Sequence, residues 1–489
     1  MPFQVSPDHE ALIGKERYEI ENSKATAIRG PRSNLANSLP FDILGEIFQY
    51  CVPSASSWEA IGRPYVSEVP LLLCRICSHW RAAALSMHGL WKELSIEKIP
   101  FTVQDGLTLV PTSTTKLLLN WFGRSGELPL RLRLVFDDAD GVDVGSMDHT
   151  SVAKIFSSRP GNRVANRIQY LEIISEYANG VDVEITGTSF PNLHSLVLWS
   201  NRGGGRDTGP IGVAIIAPLL RRVFLHSYLQ LPWRFITQLV PFSQLTHLVS
   251  ECLISYVRWH EILQGCTNLE EGMFHLFGGD WSRQETSDLT VPSLIHLTTF
   301  LHYNSPVPSV SDIFGGLQFP SLTHLQISSL SSSIPVGGWH SVLNKTPSLN
   351  HLHVGPHLTI IDYDLYRAID DHNPLLDSLI ICQPLEVDFD FIYFSPNSLA
   401  DFVRERTLPS TPIKQLALGL PSAELNTFWK LWVTDINNLL QSMVDDGLKL
   451  TVKNEGIPLR SIPSTDPVQN AWYLGVRGEM FEEYAIMRM

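Results

Sequence analysis

Leucine-like residues recur along the chain in the pattern L-x-x-L-x-L, with first positions at Ile168, Leu193, Leu220, Leu245, Leu269, Leu294, Leu322, Leu349, Leu376 and Ile413. Successive marks lie 25, 27, 25, 24, 25, 28, 27, 27 and 37 residues apart. Spacing this regular predicts one small unit stacked many times, each copy burying its apolar face against the next. Positions four and six, such as Leu196 and Leu198 or Leu379 and Ile381, alternate with other residues at the period of a strand. The stretch that follows carries helical spacing, as in Trp259, Ile262 and Leu263 or Leu365 and Ile369. Each unit is therefore expected to run strand, turn, helix, return, and a Pro-x-Leu triplet opens several of them, at Pro191, Pro320 and Pro347.

The pattern continues beyond the marked repeats. Leu128, Leu130, Leu132 and Leu134 alternate with Pro129, Arg131 and Arg133, which predicts a half-buried strand in an irregular opening repeat. After the last mark, Leu425, Phe428, Leu431, Trp432, Ile436, Leu439, Leu440 and Met443 fall at helical spacing, and Leu448, Leu450 and Val452 alternate behind them. An open solenoid end needs a cover, so residues 421–489 are expected to cap it.

The chain has 489 residues, enough for a long solenoid plus a small extra domain. With 44% apolar and 18% charged residues it has material for a core and none of the composition of a disordered chain. A net charge of -14 argues against nucleic acid, whose binders need clustered Lys and Arg, and favours a protein partner. The six cysteines show no disulfide-framework spacing, which fits a reducing compartment. The first thirty residues are charged and lack an apolar leader core, and no window holds about eighteen uninterrupted apolar residues. A cytoplasmic or nuclear protein with no membrane segment is expected.

A different motif precedes the repeats: LPFDILGEIFQYCVP at 39–53 and PLLLCRICSHWRAAALSMHGLWKELSI at 70–96. Pro40 suits a first helical turn and Asp42 the positive end of a helix dipole, while Ile43, Leu44, Ile47, Phe48 and Cys51 form an apolar stripe. Leu72, Ile76, Trp80 and Ala83 repeat that spacing. So short a helix pair buries little by itself, and a stripe wider than its core invites a partner. The Leu-Pro opening, the I-L-x-x-I-F run, the C-x-x-W-R sequence from Cys77 to Arg81 and the closing Leu90-Trp91 resemble an F-box. The Ser-, Pro- and Gly-rich segment from Val52 to Val69 and the Leu-Trp closing are similar to the large F-box sets of basidiomycete fungi. The repeats resemble degenerate leucine-rich repeats, although Tyr228 stands where that family's ladder would place Asn or Cys, as Asn201 does one repeat earlier.

The resemblance implies an α/β fold: a small all-helical F-box module, then a leucine-rich-repeat-like solenoid with a parallel concave sheet and outer helices. The expected boundaries are a flexible segment over 1–34, the F-box over 35–96, the solenoid over 97–420 and the cap over 421–489. Unrelated βα units in a doubly wound sheet are the alternative for the repeats, and a plain helical hairpin for the N-terminal module. The family's partner is the Skp-type adaptor of a cullin-based ubiquitin ligase. Leu39, Pro40, Ile43, Leu44, Ile47, Phe48, Leu72, Ile76, Trp80 and Trp91 are then shared between the adaptor face and the module's own core.

Chemistry has little support. Cys74-x-x-Cys77 stands inside a predicted helix with no second pair to complete a metal site, Gly203-Gly204-Gly205 lacks a following Lys-Ser or Lys-Thr, and the common hydrolase, zincin and nucleotide motifs are absent. Catalytic residues, cofactors and metals are not expected. With positions one, four and six inward, positions three, five and seven are expected to line the exposed concave side. They include Tyr170, Glu172, Trp199, Arg222, His226, His247, Glu251, Glu271, His275, His296, His324, His351 and His353. Neighbouring strands lie about 4.8 Å apart, so His296, His324 and His351 predict a short imidazole ladder that resists full protonation and responds to pH near 6.5. Three readings stand for this row: ordinary strand filling, target binding, or metal binding. For the whole chain they are a ubiquitin-ligase substrate receptor, a repeat scaffold outside any ligase, and an enzyme on a βα frame, which would require a deep polar pocket.

Overall fold

The computed structural model describes residues 39–51, 69–104, 107–138, 149–151, 156, 164–175, 188–200, 215–227, 240–277, 288–302, 310–329, 334–336, 338–355, 358–360, 362–382, 395–406, 412–419 and 427–453. Three helices open them: α1 (Phe41–Cys51), α2 (Leu73–Ile76) and α3 (Ser78–Ser86), followed by a 3-10 turn over His88–Trp91. The strands β1 (Glu93–Gln104) and β2 (Leu107–Pro111), helix α4 (Thr112–Arg124), and strands β3 (Leu130–Asp138) and β4 (His149–Ser151) come next. A short α5 (Val164–Arg167) leads into β5 (Ile168–Ser175), β6 (Ser195–Ser200), β7 (Arg222–Ser227) and β8 (His247–Ser255). Then follow α6 (Tyr256–Gly265), β9 (Glu271–Phe277), β10 (Leu289–Thr290), β11 (His296–His302), α7 (Val310–Ile313), β12 (Leu317–Gln318), β13 (His324–Ser329) and β14 (Ile334–Val336). The remaining elements are α8 (Trp339–Leu343), β15 (His351–Val354), β16 (Leu358–Ile360), α9 (Asp362–His372), β17 (Ser378–Cys382), α10 (Pro396–Arg406), β18 (Gln415–Gly419), α11 (Thr427–Asp445) and β19 (Lys449–Lys453).

Fifteen strands form one sheet in the order β19-β18-β17-β15-β13-β11-β9-β8-β7-β6-β5-β3-β1-β2-β4. β2 and β4 join antiparallel, and the other thirteen run parallel. From β3 to β19 the parallel strands follow one another in chain order, so each step adds one unit at the same edge. That is the topology of a solenoid and not of a doubly wound sheet, whose order reverses at a switch point. All ten marked repeats supply a strand, beginning at or within three residues of the mark. The alternating leucines at 130–134 lie in a strand too, as do Leu450 and Val452, with Leu448 just ahead of theirs. The long interval before Ile413 is filled by α10.

The Pro-x-Leu triplet is a turn. The N–H of Leu193 donates to the Phe190 carbonyl at 3.1 Å, Leu322 to Phe319 at 3.2 Å and Leu349 to Thr346 at 3.1 Å, which places proline at the second turn position, where its fixed φ is already correct. Polar side chains of these turns also reach back one repeat. Asn192 donates to the Asn166 carbonyl at 2.6 Å, Asn268 to Ser243 at 2.7 Å, Ser348 to Pro320 at 2.7 Å and Asn373 to Thr346 at 2.6 Å. This entry-turn ladder ties repeat to repeat at a different place from the family's asparagine ladder. Asn201 and Tyr228 lie outside the described residues, as do Gly203-Gly204-Gly205, the insertion from Val52 to residue 68, and residues 1–38 and 454–489.

The leucines of positions one, four and six form the main core on the helix side of the sheet. Leu193, Leu196, Leu322, Leu325, Leu349, Leu376 and Leu379 are buried there with Trp259, Trp339 and Leu365. Each such side chain contributes about 2 kcal/mol by leaving water. The outer layer is less regular than strand-turn-helix predicts. α6, α9, α10 and α11 are full helices, but α7 and α8 are single turns, and β10–β12 and β14–β16 form small parallel pairs among the returns. α11 seats Trp432, Ile436, Leu440 and Met443 in the core beside β18 and β19.

At the other end Trp91 fixes the helices to the sheet. Its ring meets Trp121 edge-on at 4.9 Å, its indole N–H donates to the Ala84 carbonyl at 2.9 Å, and Arg124 lies over it at 4.4 Å. β1 begins at Glu93, inside the range read as the helical module, so the sheet starts sooner than its repeats announce. The single helix expected through Cys74 and Cys77 is two helices. Cys77 is extended (φ -159°, ψ 173°), and its sulfur accepts the Trp80 N–H at 3.4 Å as the cap of α3.

Candidate functional site

The N-terminal helices sort the ten motif residues into two groups. Leu44, Phe48 and Trp91 are fully buried, and Leu39, Ile47 and Trp80 pack partly buried against them, with the Phe48 and Trp80 rings 5.2 Å apart. Pro40, Ile43, Leu72 and Ile76 face outward. Ile43 is 45% exposed, Leu72 41% and Ile76 49%, alongside Phe41 and Tyr50, neither of which the sequence reading had singled out. Their signal was present, since both lie on the same eleven-residue helix among the matched positions.

The thirteen residues placed on the concave side do share one face. A single register row crosses the parallel sheet: Glu93, Arg131, Tyr170, Ser195, Arg222, His247, Glu271, His296, His324, His351, Ser378, Gln415 and Lys449. Two residues further along each strand runs a second row that includes Arg133, Glu172, Val197, Phe224, Val249, Met273, Thr298, Gln326 and His353. The expectation of an exposed face needs correction. Tyr170, Glu172, His226, His247, Glu251, Glu271 and His353 are buried, and Trp199, Arg222, His275, His296, His324 and His351 are half-buried. Side chains on strands about 4.8 Å apart shield one another. Here they also form a second apolar cluster, Tyr170, Val197, Phe224, Val249, Met273 and Phe300, with Trp199 packed against it.

Polar groups on this face are paired along the rows. Arg133 Nε lies 3.4 Å from Glu172 Oε1, the Tyr170 hydroxyl donates to Glu172 Oε2 at 3.0 Å, and the Arg131 guanidinium sits 5.3 Å from the Tyr170 ring centre. Burial, then the Glu172 carboxylate, push the Tyr170 phenol well above its ordinary pKa, so it remains a donor. The register of β7 with β8, which ends at Leu225 and Ser250, sets Glu251 next to His226, and its Oε2 stands 3.0 Å from His226 Nδ1. Glu271 serves two imidazoles, His296 Nδ1 at 3.0 Å and His247 Nε2 at 3.8 Å. His275 and His302 meet nitrogen to nitrogen at 3.2 Å, and His353 Nε2 lies 3.4 Å from the Cys382 sulfur.

His296, His324 and His351 do stack on three successive strands. His324 meets His296 edge-on (88°) at 4.3 Å and lies over His351 at 4.1 Å with 24° between the planes. Burial, then the neighbouring imidazoles, lower the His324 pKa to about 3 against a partial offset from Glu271. His351 is lowered by burial, with Asp377 opposing, and His353 is lowered by burial to about 4. The central ring of the ladder, His324, is therefore neutral at physiological pH, and titration near 6.5 does not apply to it. The rings lie side by side, and among the described residues there is no group of three or more His, Cys, Asp or Glu side chains able to hold a metal ion.

Sequence reading passed over Arg131, Arg133, Thr298, Gln326 and the apolar stripe, although they occupy the same alternating positions as the residues it chose. Selection by chemical type missed them; selection by position would have found them. The described face offers imidazoles, buried carboxylates and apolar side chains in rows. Among the described residues no helix is long and apolar enough to cross a membrane. Neither a family model nor a curated protein matches this chain.

Proposed function

We propose that this chain is the substrate-recognition subunit of an SCF-type ubiquitin ligase, docking a Skp-type adaptor through α1 to α3 and a target protein through the inner face of the sheet. The observation that carries the reading is the exposure of Ile43, Leu72 and Ile76 within the stretch that resembles an F-box, while Leu44, Phe48 and Trp91 of the same stretch hold the module together. Uncovered aliphatic side chains on a small module favour a protein partner, because covering them removes apolar area from water at about 25 cal/mol per Å². The receptor itself performs no chemistry. Holding adaptor, cullin scaffold and target on one rigid body raises the effective concentration of target at the ligase. Such a role places the protein in the cytoplasm or nucleus.

Affinity capture with the full chain tests this. The wild-type protein is expected to retain a Skp-type adaptor and a cullin, and the double variant Ile43→Asp, Ile76→Asp to lose both while keeping its melting temperature. Absence of a cullin from the wild-type capture would return the protein to a repeat scaffold outside any ligase. Unchanged capture by the variant would remove these helices from the contact.

A further inference from the structure

One polar side chain on the inner face has no use in the rows described above. Gln326, which β13 contributes to the second row, is 2% exposed, and neither its amide nitrogen nor its amide oxygen has a hydrogen-bond partner. Alternation places it on the same side as His324. In register beside it stand Thr298 of β11 and His353 of β15, both buried. Two residues on, the Ser328 hydroxyl is likewise buried and unpartnered. It is packed so tightly on Gly355 that a side chain there would collide with the serine backbone and Cβ, at 3.0 and 2.5 Å.

Leaving a buried amide unpaired costs folding free energy at both ends, and leucine or methionine would fill the same space without that cost. A polar group kept at such a place serves something that is absent when the chain is alone. The carboxamide presents a donor and an acceptor side by side in one plane, which is the complement of a peptide group. Its surroundings favour that occupant over a charged one. Burial lowers the pKa of His324, His351 and His353, Glu271 is turned to His296, and Lys414 is paired with Asp377, so these groups offer no free cation to a phosphate or a carboxylate. Phe300 of the apolar cluster lies on the adjoining strand β11 and Met273 one strand further, on β9, where side chains flanking that peptide group would rest.

We propose that the inner face at β11, β13 and β15 binds an extended, unmodified peptide segment of the target, with Gln326 pairing both hydrogen-bonding groups of one main-chain amide. This deepens the receptor reading and rests on its claim that the inner face receives a target. Because the amide is closed to solvent in the free chain, the peptide must part the half-buried rings of His296, His324 and His351 to reach it. The desolvation is already complete in the free protein, so the two hydrogen bonds are gained without stripping water from Gln326.

Two measurements on the full chain test the proposal. Gln326→Leu is expected to raise the melting temperature by ~2 °C, because it removes an unmet donor and acceptor. A fall would mean that the amide is satisfied in the free chain by water, and would overturn the idea. Short unmodified peptides selected on the wild-type chain from a random display library are then compared with analogues N-methylated at one main-chain position at a time. At one position methylation should weaken wild-type binding by about tenfold, and the same change should cost nothing against Gln326→Leu. Equal losses against both proteins would overturn the pairing. Failure to select any peptide would overturn the extended-peptide class while leaving the adaptor capture, which reads Ile43 and Ile76, to stand or fall by itself.

Discussion

At the N-terminal end Ile43, Leu72 and Ile76 stand between 41 and 49% exposed, whereas on the inner face of the sheet Glu172, His247, Glu271 and His353 are between 5 and 8% exposed. One region leaves aliphatic side chains in water and the other takes ionisable ones out of it. Each departs from the ordinary sorting of residues, and such departures carry more information than the leucine core, which any folded solenoid would have. They differ in what sustains them. The exposed aliphatics cost the free chain little, since scattered apolar surface is common, and their worth comes when a partner covers them. The buried polar groups must be compensated within the fold, and Arg133 with Glu172, His226 with Glu251 and Glu271 between two imidazoles provide that. The N-terminal helices therefore leave a surface open to contact, and the inner face is a largely self-satisfied network with Gln326 and Ser328 among its exceptions.

The sharpest break of this comparison lies between two adjacent residues of α1. Leu44→Asp places a carboxylate at a fully buried site and is expected to cost about 4 kcal/mol or more, enough to unfold the helical module. Ile43→Asp, one residue earlier on the exposed side, is expected to change stability by no more than about 0.5 kcal/mol. Thermal melts of the two variants, read together with adaptor capture, check this. A large loss of stability from Ile43→Asp would show that the exposed aliphatics belong to the fold, and the contrast between the two regions would collapse.

Acid titration sharpens the other side. The His324 pKa is about 3 in the folded chain and 6.5 when unfolded, so between those values the unfolded state binds the extra proton. Stability must then fall as pH is lowered from 6.5 toward 3, and it is unaffected by this group above 6.5. His353, at about 4, acts in the same direction. Carboxylates also contribute to acid unfolding, so the informative quantity is the difference from His324→Gln. The variant is expected to lose less on acidification, by ~2 °C in melting temperature at pH 4.5 relative to pH 7. Parallel curves would mean that the ladder is open to solvent and that the burial of this face is overstated.

The fold was legible in the sequence to an uneven degree, for identifiable reasons. Strand positions follow from alternation, so all ten marks from Ile168 to Ile413 lead into strands of the sheet, and the side each residue faces follows with them. The outer layer was not legible, because single-turn helices such as Trp339–Leu343 and two-residue strands such as Leu289–Thr290 are too short to show a period. Burial of the inner face was not legible either. Glu172 and His247 read as solvent-facing because their repeat positions point away from the leucine core, and only the neighbours supplied by other repeats reveal that they are enclosed. In the same way Cys77 hides a helix break, since the apolar spacing from Leu72 to Trp80 runs through it without a gap.

The smallest effect tests the third place where polar groups gather, the entry turns. Asn268 donates to the Ser243 carbonyl of the preceding repeat at 2.7 Å in an exposed setting. Water can reach both groups once the side chain is removed, so Asn268→Ala is expected to cost only about 0.5 kcal/mol, measured by chemical denaturation. Turn bonds of this kind hold register while the buried leucines supply the energy. A loss above about 1.5 kcal/mol would mean that each rung transmits order from one repeat to the next, as in a linear array whose stability lies in its interfaces. The inner face would then owe its alignment to the turns at its edge as much as to its own paired charges.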